Sequence, residues 1–454
     1  MKFRLIDPAV TSVQTREGTL HLKTLFVPLF IEQLLMNLMG TVNTLVLGHY
    51  SDEAVAAVGA ANQVIGLVYT FYAVISGGTS IVISHRLGAG KKKEAQDAAF
   101  TSLCFSGLLS LCCGLGMAAF ADPLMGMLHL EGEVLSMATG YFKMIITFSF
   151  LQGIISAASA ILRSYGKPRV AVAASVLMNV VNAFLNCLIV FRPVEIPLYG
   201  AEGIGVANVI AHGIAMVVIL ICLSRSGLDL QFRTKNAGTL RCLPSILKVG
   251  VPGGVSSLSY SLSQVVSTSI LGILGTTALS TKVYISSIVF YVYVVGMSLG
   301  LSTAILMGWM TGAKEYEKAY RLNQQVLKLA VSLNLALSVI LFLCYRPLLS
   351  LFTQSTEIIE MAGGILFIDI FVEVGRAFNH VEDNSLRGAG DVLFPMAVAV
   401  TSCWLMSILF SYILGIRLGL GLKGCWIAFM MDELFRGIIF WRRFKSRKWM
   451  NKAV

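Results

Sequence analysis

Apolar stretches of about 20 residues, separated by short polar turns, recur along the whole chain, each long enough to cross about 30 Å of hydrocarbon as a helix. Twelve spans are predicted, at about residues 24–47, 54–84, 97–120, 138–162, 168–191, 203–224, 245–273, 279–308, 318–343, 358–386, 392–415 and 424–443, with ends good to a few residues. Pro28 and Pro252 fall inside spans 1 and 7, where a ring without an N–H favours a kink. The 23 residues before span 1 are polar and mixed in charge, and that span is too long for a cleavable signal. Span 1 is expected to stay in the protein.

The two halves repeat each other in register. Pro28 recurs as Pro252, Gly48 as Gly272, Gly88-Ala89 as Gly312-Ala313, Leu162-Arg163 as Leu386-Arg387 and Gly166 as Gly390, each pair 224 positions apart. Past a three-residue shortening, Gly200, Gly203 and Ala207 recur as Gly421, Gly424 and Ala428. Six spans fall in each half, and the one long polar connection carries Arg225, Arg233, Lys235 and Arg241. The expected organisation is a six-helix lobe over 1–224, a linker over 225–244, and a second six-helix lobe over 245–454 with a basic tail. Duplicated bundles in so apolar a chain are the signature of secondary transporters.

Composition excludes a soluble fold. Only 13% of residues are charged against 56% hydrophobic, with mean hydropathy +0.77, where a soluble chain is about one quarter charged. The net charge of +11 is spread over one set of loops: Lys2, Arg4, Arg16 and Lys23; Arg86 and Lys91–Lys93; Arg163, Lys167 and Arg169; the linker with Lys248; Lys314, Lys318 and Arg321; Arg387; and Arg442–Lys452. The opposite loops hold Arg192, Lys282, Arg346, Arg417 and Lys423. This asymmetry places both termini in the cytoplasm of a multi-pass plasma (inner) membrane protein. Basic residues scattered in this way suit anionic lipid, and no nucleic acid partner is expected.

The familiar motifs of soluble chemistry are weak here. Nine cysteines lie in the spans or, for Cys242, in the linker, without metal-type spacing, and are expected to be free thiols. Gly419 to Gly424 fits a dinucleotide pattern but has no preceding strand, and Gly88-Ala-Gly-Lys91 lacks the spacing of a phosphate loop. The six histidines, His21, His49, His85, His129, His212 and His380, are dispersed, so neither a metal nor an enzymatic centre is expected.

Candidate chemistry lies in polar residues within the spans, since each is costly there unless it faces protein or water. In span 10, Glu373, Arg376, His380, Asp383 and Arg387 fall within an arc of about 80°. That stripe must face the interior, and it serves either as a static Glu373–Arg376 pair or in ion and substrate coupling. Glu382 lies off the stripe, toward the cytoplasmic end. Span 1 carries Glu32, Met36, Met39 and Asn43 on one face, with Glu32 and Asn43 about 16 Å apart along the axis. The repeat partner of Glu32 is Ser256, and a carboxylate without a partner in low dielectric would suit proton uptake and release. A permanent hydrogen bond to a neighbouring helix is the bland alternative.

Asn179, Asn182 and Asn186 share a narrow arc of span 5, either gluing helices or lining a wet cavity. Ser256, Tyr260, Ser263 and Ser267 share a face of span 7 with Gln264 beside them, and Tyr284 and Tyr291 stack along span 8. Such faces suit amphipathic organic molecules. Asn37, Asn43, Arg376 and Asn379 complete the candidate substrate-cavity set. In span 12, Asp432, Glu433 and Arg436 are spaced for helical pairing and are read as a structural clamp near the cytoplasmic side.

Taken together, the Pro28 opening, Thr41-Val-Asn-Thr-Leu-Val-Leu-Gly48 followed by Ala54-Val-Ala-Ala-Val-Gly59, the Gly88-Ala-Gly-Lys91 loop and Leu386-Arg-Gly-Ala-Gly-Asp391 resemble the multidrug and toxic compound extrusion (MATE) family of the MOP superfamily, over nearly the whole chain. The resemblance implies an all-α polytopic fold of twelve transmembrane helices in two six-helix bundles. It also implies alternating access and export of organic, often cationic compounds by a monomer that uses Na⁺ or H⁺ entry and no cofactor. The family's coupling acids do not carry over: Asn43 stands where many members have the aspartate of Val-Asp-Thr, Tyr260 where the Na⁺-coupled branch has glutamate, and Arg376 where it has aspartate. Glu32, Glu373 and Asp383 remain as the ion-coupling candidates. An ion-coupled exporter of small organic molecules is therefore expected, against a flippase for lipid-linked precursors, which would need a cationic cavity, and a membrane-embedded enzyme.

Overall fold

In a computed structural model the chain is described over residues 7–15, 18–48, 51–128, 130–191, 200–226 and 242–452. Lys2, Arg4, Arg16, His49, His129, Arg192 and the linker residues Arg233, Lys235 and Arg241 lie outside these, as does the side chain of Met39. The long helices are α1 (Leu22–Gly48), α2 (Asp52–Gly88), α3 (Lys92–Ala119), α5 (Gly132–Thr147), α6 (Phe150–Ser164), α7 (Pro168–Phe191), α8 (Gly200–Arg225), α9 (Leu243–Ile273), α10 (Thr276–Gly312), α11 (Tyr316–Leu343), α13 (Thr356–Gly388), α14 (Leu393–Ser402) and α15 (Gly421–Lys445), with short α4 (Ala121–Gly126) and α12 (Tyr345–Leu349) between them. α5 and α6 form one span bent by 47°. α14 continues through two π-helical segments, Cys403–Leu409 and Ser411–Arg417, as another.

Twelve spans thus stand among the described residues, matching the apolar periodicity. Seven helices and the bent pair are each long and apolar enough to cross a membrane; α1, α9, α13 and α15 complete the twelve, the last two less apolar because they carry the buried charges described below. Large apolar side chains such as Leu108, Phe184 and Val217 point outward and small ones inward, the distribution expected where lipid is the solvent and packing needs close backbone approach.

The Cα positions separate into two compact units, one holding residues 1–30, 84–90 and 255–454, the other 31–83 and 91–254. The units therefore depart from the sequence halves in three places: the start of α1 and the end of α2 join the C-terminal unit, and the start of α9 joins the N-terminal one. The end of α2 shows why. A Cβ on Gly88 would lie 2.0 Å from the Trp309 carbonyl oxygen, and one on Gly312 would lie 2.1 Å from that of His85. Since 88 and 312, and 85 and 309, are each 224 apart, the contact is reciprocal, as a local two-fold requires.

Among the described residues one hairpin stands apart from the helices. Ser12–Thr15 (β1) and Gly18–His21 (β2) pair antiparallel, with Val13 opposite Leu20, and both side chains are buried in the C-terminal unit's core with Leu299 and Trp309. The short alternation of apolar and polar positions, too brief to stand out in a polar leader, is what builds it. All nine cysteines are free.

Candidate functional site

In the C-terminal unit the stripe of α13 turns inward. Glu373 is fully buried; Arg376 Nη1 donates to its Oε1 at 2.5 Å and Asn334 Nδ2 to its Oε2 at 3.3 Å. Arg376 also reaches α15, with Nε 3.6 Å from Glu433 Oε1. Glu433 accepts from the Asn379 amide as well and lies 3.0 Å from Arg436 Nη2, which bonds Asp432 at 2.8 Å. Ser402 donates to Asp432, and Tyr293 lies under the Arg376 guanidinium at 5.8 Å and edge-on to His380 at 4.9 Å.

One expectation changes here. Asp432, Glu433 and Arg436 pair as their spacing predicts, but they are not a clamp of their own: α15 packs on α13, so they join the Glu373–Arg376 pair in one network. Glu382 stands off the stripe, in the last turns of α13. It is fully buried beside Asn323, whose Nδ2 donates at 3.3 Å to Glu382 and at 3.0 Å to Ser385.

Asp369 belongs to the network and went unremarked in the sequence. It is 4% exposed and accepts from Trp426 Nε1 at 3.0 Å. Standing one turn before Glu373, it extends the same stripe, a signal the periodicity contained. Four buried carboxylates, Asp369, Glu373, Asp432 and Glu433, thus stand with two guanidiniums, Arg376 and Arg436, and with the Lys282 ammonium on the adjoining cavity, a formal excess of one negative charge.

Beside this network lies a cavity of about 60 Å³, lined by Tyr260, Gln264, Lys282, Arg376, Trp426 and Glu433 among others. Lys282, assigned to a loop by the charge pattern, is on α10 and donates to Thr268 Oγ1 at 2.9 Å. Of the predicted cavity residues, Tyr260, Gln264 and Arg376 line this space and Asn379 stands behind Glu433. Tyr284 and Tyr291 do not line it: Tyr284 packs on Phe352 and Tyr291 is half-exposed beside Phe290.

The N-terminal unit holds two polar groups. Asn186 Nδ2 donates to Asn43 Oδ1 and to Asn182 Oδ1, each at 2.8 Å, so α7 and α1 are joined by neutral amides. Asn186 and Asn182 are fully buried, and both side-chain atoms of Asn179 are buried without a hydrogen-bond partner among the described residues. Asn37, on the same helix as Asn43, is exposed.

The second group corrects a sequence expectation. Glu32 is not without a partner, because Arg163 Nη1 donates to both of its oxygens at 2.9 and 3.0 Å. The equivalent arginine of the other half, Arg387, binds Asp383 through Nε at 2.8 and 2.9 Å and Ser256 Oγ through Nη2 at 3.2 Å. Tertiary folding brought together residues that no local pattern links.

The model of the family described as MatE matches this chain twice, over residues 28–188 and 252–413, opening on the two repeated prolines. The chain belongs to the MatE family. Its members are transporters, and this MatE protein is a membrane transporter with the twelve-helix fold, not an enzyme. It is 35% identical to the uncharacterized transporter YisQ of Bacillus subtilis (strain 168), covering 96% of each chain. It is 27% identical to the probable multidrug resistance protein NorM of Thermotoga maritima, covering 100% of this chain and 98% of that one. In fold it is similar to a solved MOP superfamily transporter from Pyrococcus furiosus Vc1 with TM-score 0.87, 22% identity and coverage of 94% and 95%.

Proposed function

We propose that this protein exports small amphipathic organic compounds, in particular cationic ones, by alternating access in exchange for Na⁺ or H⁺, as a monomer in the plasma membrane with both termini cytoplasmic. The observation that carries this reading is the buried excess of carboxylate over guanidinium around Arg376. Excess negative charge in low dielectric is unfavourable until a proton or cation balances it. The site is therefore built to take up positive charge, and an aromatic and amide-lined cavity adjoins it.

Glu373 and Asp383, with Glu32 in the other unit, are the proposed coupling carboxylates. Each is held by an arginine, so a coupling ion would act by competing with Arg376, Arg387 or Arg163 for its carboxylate. Tyr260, Gln264 and Arg376, backed by Asn379, are the proposed substrate-contacting residues of the C-terminal unit, and the asparagines 37, 43, 179, 182 and 186 those of the N-terminal unit. A flippase for a pyrophosphate-linked precursor is disfavoured, because Arg376 and Arg436 each already bind two carboxylates.

The test is transport in proteoliposomes with Na⁺ and H⁺ gradients imposed separately. Efflux of an organic cation such as ethidium driven by one of the two supports the proposal. Indifference to both gradients rejects it.

A further inference from the structure

The two repeats use the same arginine with its carboxylate transposed. Arg163 and Glu32 are 131 positions apart, and so are Arg387 and Ser256. In both units, therefore, the arginine ending one helix, α6 or α13, reaches the residue one turn past the proline of another, α1 or α9. What differs is the acid. In the N-terminal repeat it is Glu32, on the helix being gripped, and the position one turn before the arginine is Ser159, buried at 3% exposure. In the C-terminal repeat that position is Asp383, and the gripped residue is Ser256. Since 159 and 383, and 32 and 256, are each 224 apart, glutamate and serine in one half answer serine and aspartate in the other.

The exchange preserves charge balance at each arginine but changes what is tied. Asp383 and Arg387 sit on one helix, where an i to i+4 pair holds nothing but its own helix. Glu32 and Arg163 join two helices through a two-pronged bond, with side chains only 10% and 20% exposed. The division of the chain between compact units falls between Phe30 and Ile31 and again between Gly254 and Val255. Each gripped residue is thus the second one past that boundary.

We infer that Arg163 is a positioning residue that fixes α1 to α6 through Glu32 in the turn past Pro28, and that among the described residues this repeat's first helix is the one held at that turn across helices by an ion pair, which neutralising one carboxylate releases. At the corresponding turn of α9 the arginine meets a hydroxyl, which carries no charge to neutralise. The inference rests on the proposed transport function only for its second readout below.

The test transposes the acid. The double variant Glu32→Ser/Ser159→Asp gives the N-terminal repeat the C-terminal arrangement, leaves Arg163 neutralised, and so avoids the unfolding that a buried arginine without a counter-charge can cause. The full-length protein in nanodiscs is followed by hydrogen–deuterium exchange. The expected result is exchange over residues 31–38 about tenfold faster than in the wild type, with α7 and α8 as protected as before; Arg163→Lys, which keeps the charge, should show a smaller rise. Wild-type protection of residues 31–38 in the double variant overturns the inference, since Arg163 would then need only a nearby negative charge. In parallel, gradient-driven ethidium efflux should fall about tenfold in the double variant while ethidium binding persists. If the wild type itself shows no gradient-driven efflux, the proposed function fails and the exchange result still decides the inference.

Discussion

Arg376 of α13 and Glu433 of α15 approach to 3.6 Å, and this one contact turns two local ion pairs into a single buried network. On one side Arg376 holds Glu373 of its own helix; on the other Glu433 is shared with Arg436. Neither helix alone contains that arrangement, and it stands beside the cavity that Tyr260 and Gln264 line.

Because Arg376 holds two carboxylates, Arg376→Gln should destabilise the protein by about 3–5 kcal/mol, the usual cost of removing one partner of a buried pair. Adding Glu373→Gln removes one stranded charge, so the double variant should recover part of that loss. Thermal unfolding in detergent, read as a double-mutant cycle, checks this; strict additivity would show that the two do not interact.

Glu382 tells a different story, since its contacts are with Asn323 and no cation lies within salt-bridge distance among the described residues. Glu382→Gln keeps shape and hydrogen-bonding capacity and should change stability by less than about 1 kcal/mol. Asn323→Ala leaves Glu382 and Ser385 without their donor and should cost about 1–3 kcal/mol. Equal losses in the two variants would show that the Glu382 charge itself matters.

Among the asparagines, Asn186 joins Asn43 and Asn182. Asn186→Ala should therefore strand two carbonyl acceptors and cost about 1–3 kcal/mol, whereas exposed Asn37→Ala should stay within about 0.5 kcal/mol. Unfolding midpoints of the two variants in one detergent make the comparison, and an equal shift would discount the ladder.

Gly88 and Gly312 meet opposing backbone, which cannot give way as a side-chain tip can. Gly88→Ala and Gly312→Ala should each cost about 1–3 kcal/mol or more by overpacking. Gly116→Ala, in a helix where the added Cβ would meet nothing within 4 Å, should be neutral or stabilise by up to about 1 kcal/mol. Expression and melting of the three variants test the reciprocal crossing of α2 and α10.

Much of the architecture is written in single-chain periodicities. Twelve spans follow from apolar stretches because backbone groups in lipid must bond within their own helix, and the doubling follows from the 224-residue repeat. The inward turn of α13 was legible too, since three helical positions apart means one face, and by the same rule Asp369 could have been added. The N-terminal hairpin was harder, four residues per strand being too few for alternation to rise above a polar leader.

The sequence by itself determined which residues must avoid lipid: Glu373, Arg376 and Asp383 on one helix, Glu32 on another, and the asparagines of α7. Only the tertiary structure decided their partners, because an ion pair between helices depends on rotation and crossing points that no local period encodes. Thus Glu32, without an evident cation nearby in sequence, meets Arg163 at the end of α6, and Glu433, readable as part of a clamp on α15, completes the charge network of α13. Local spacing fixes which face a side chain occupies; packing between helices chooses what that face meets.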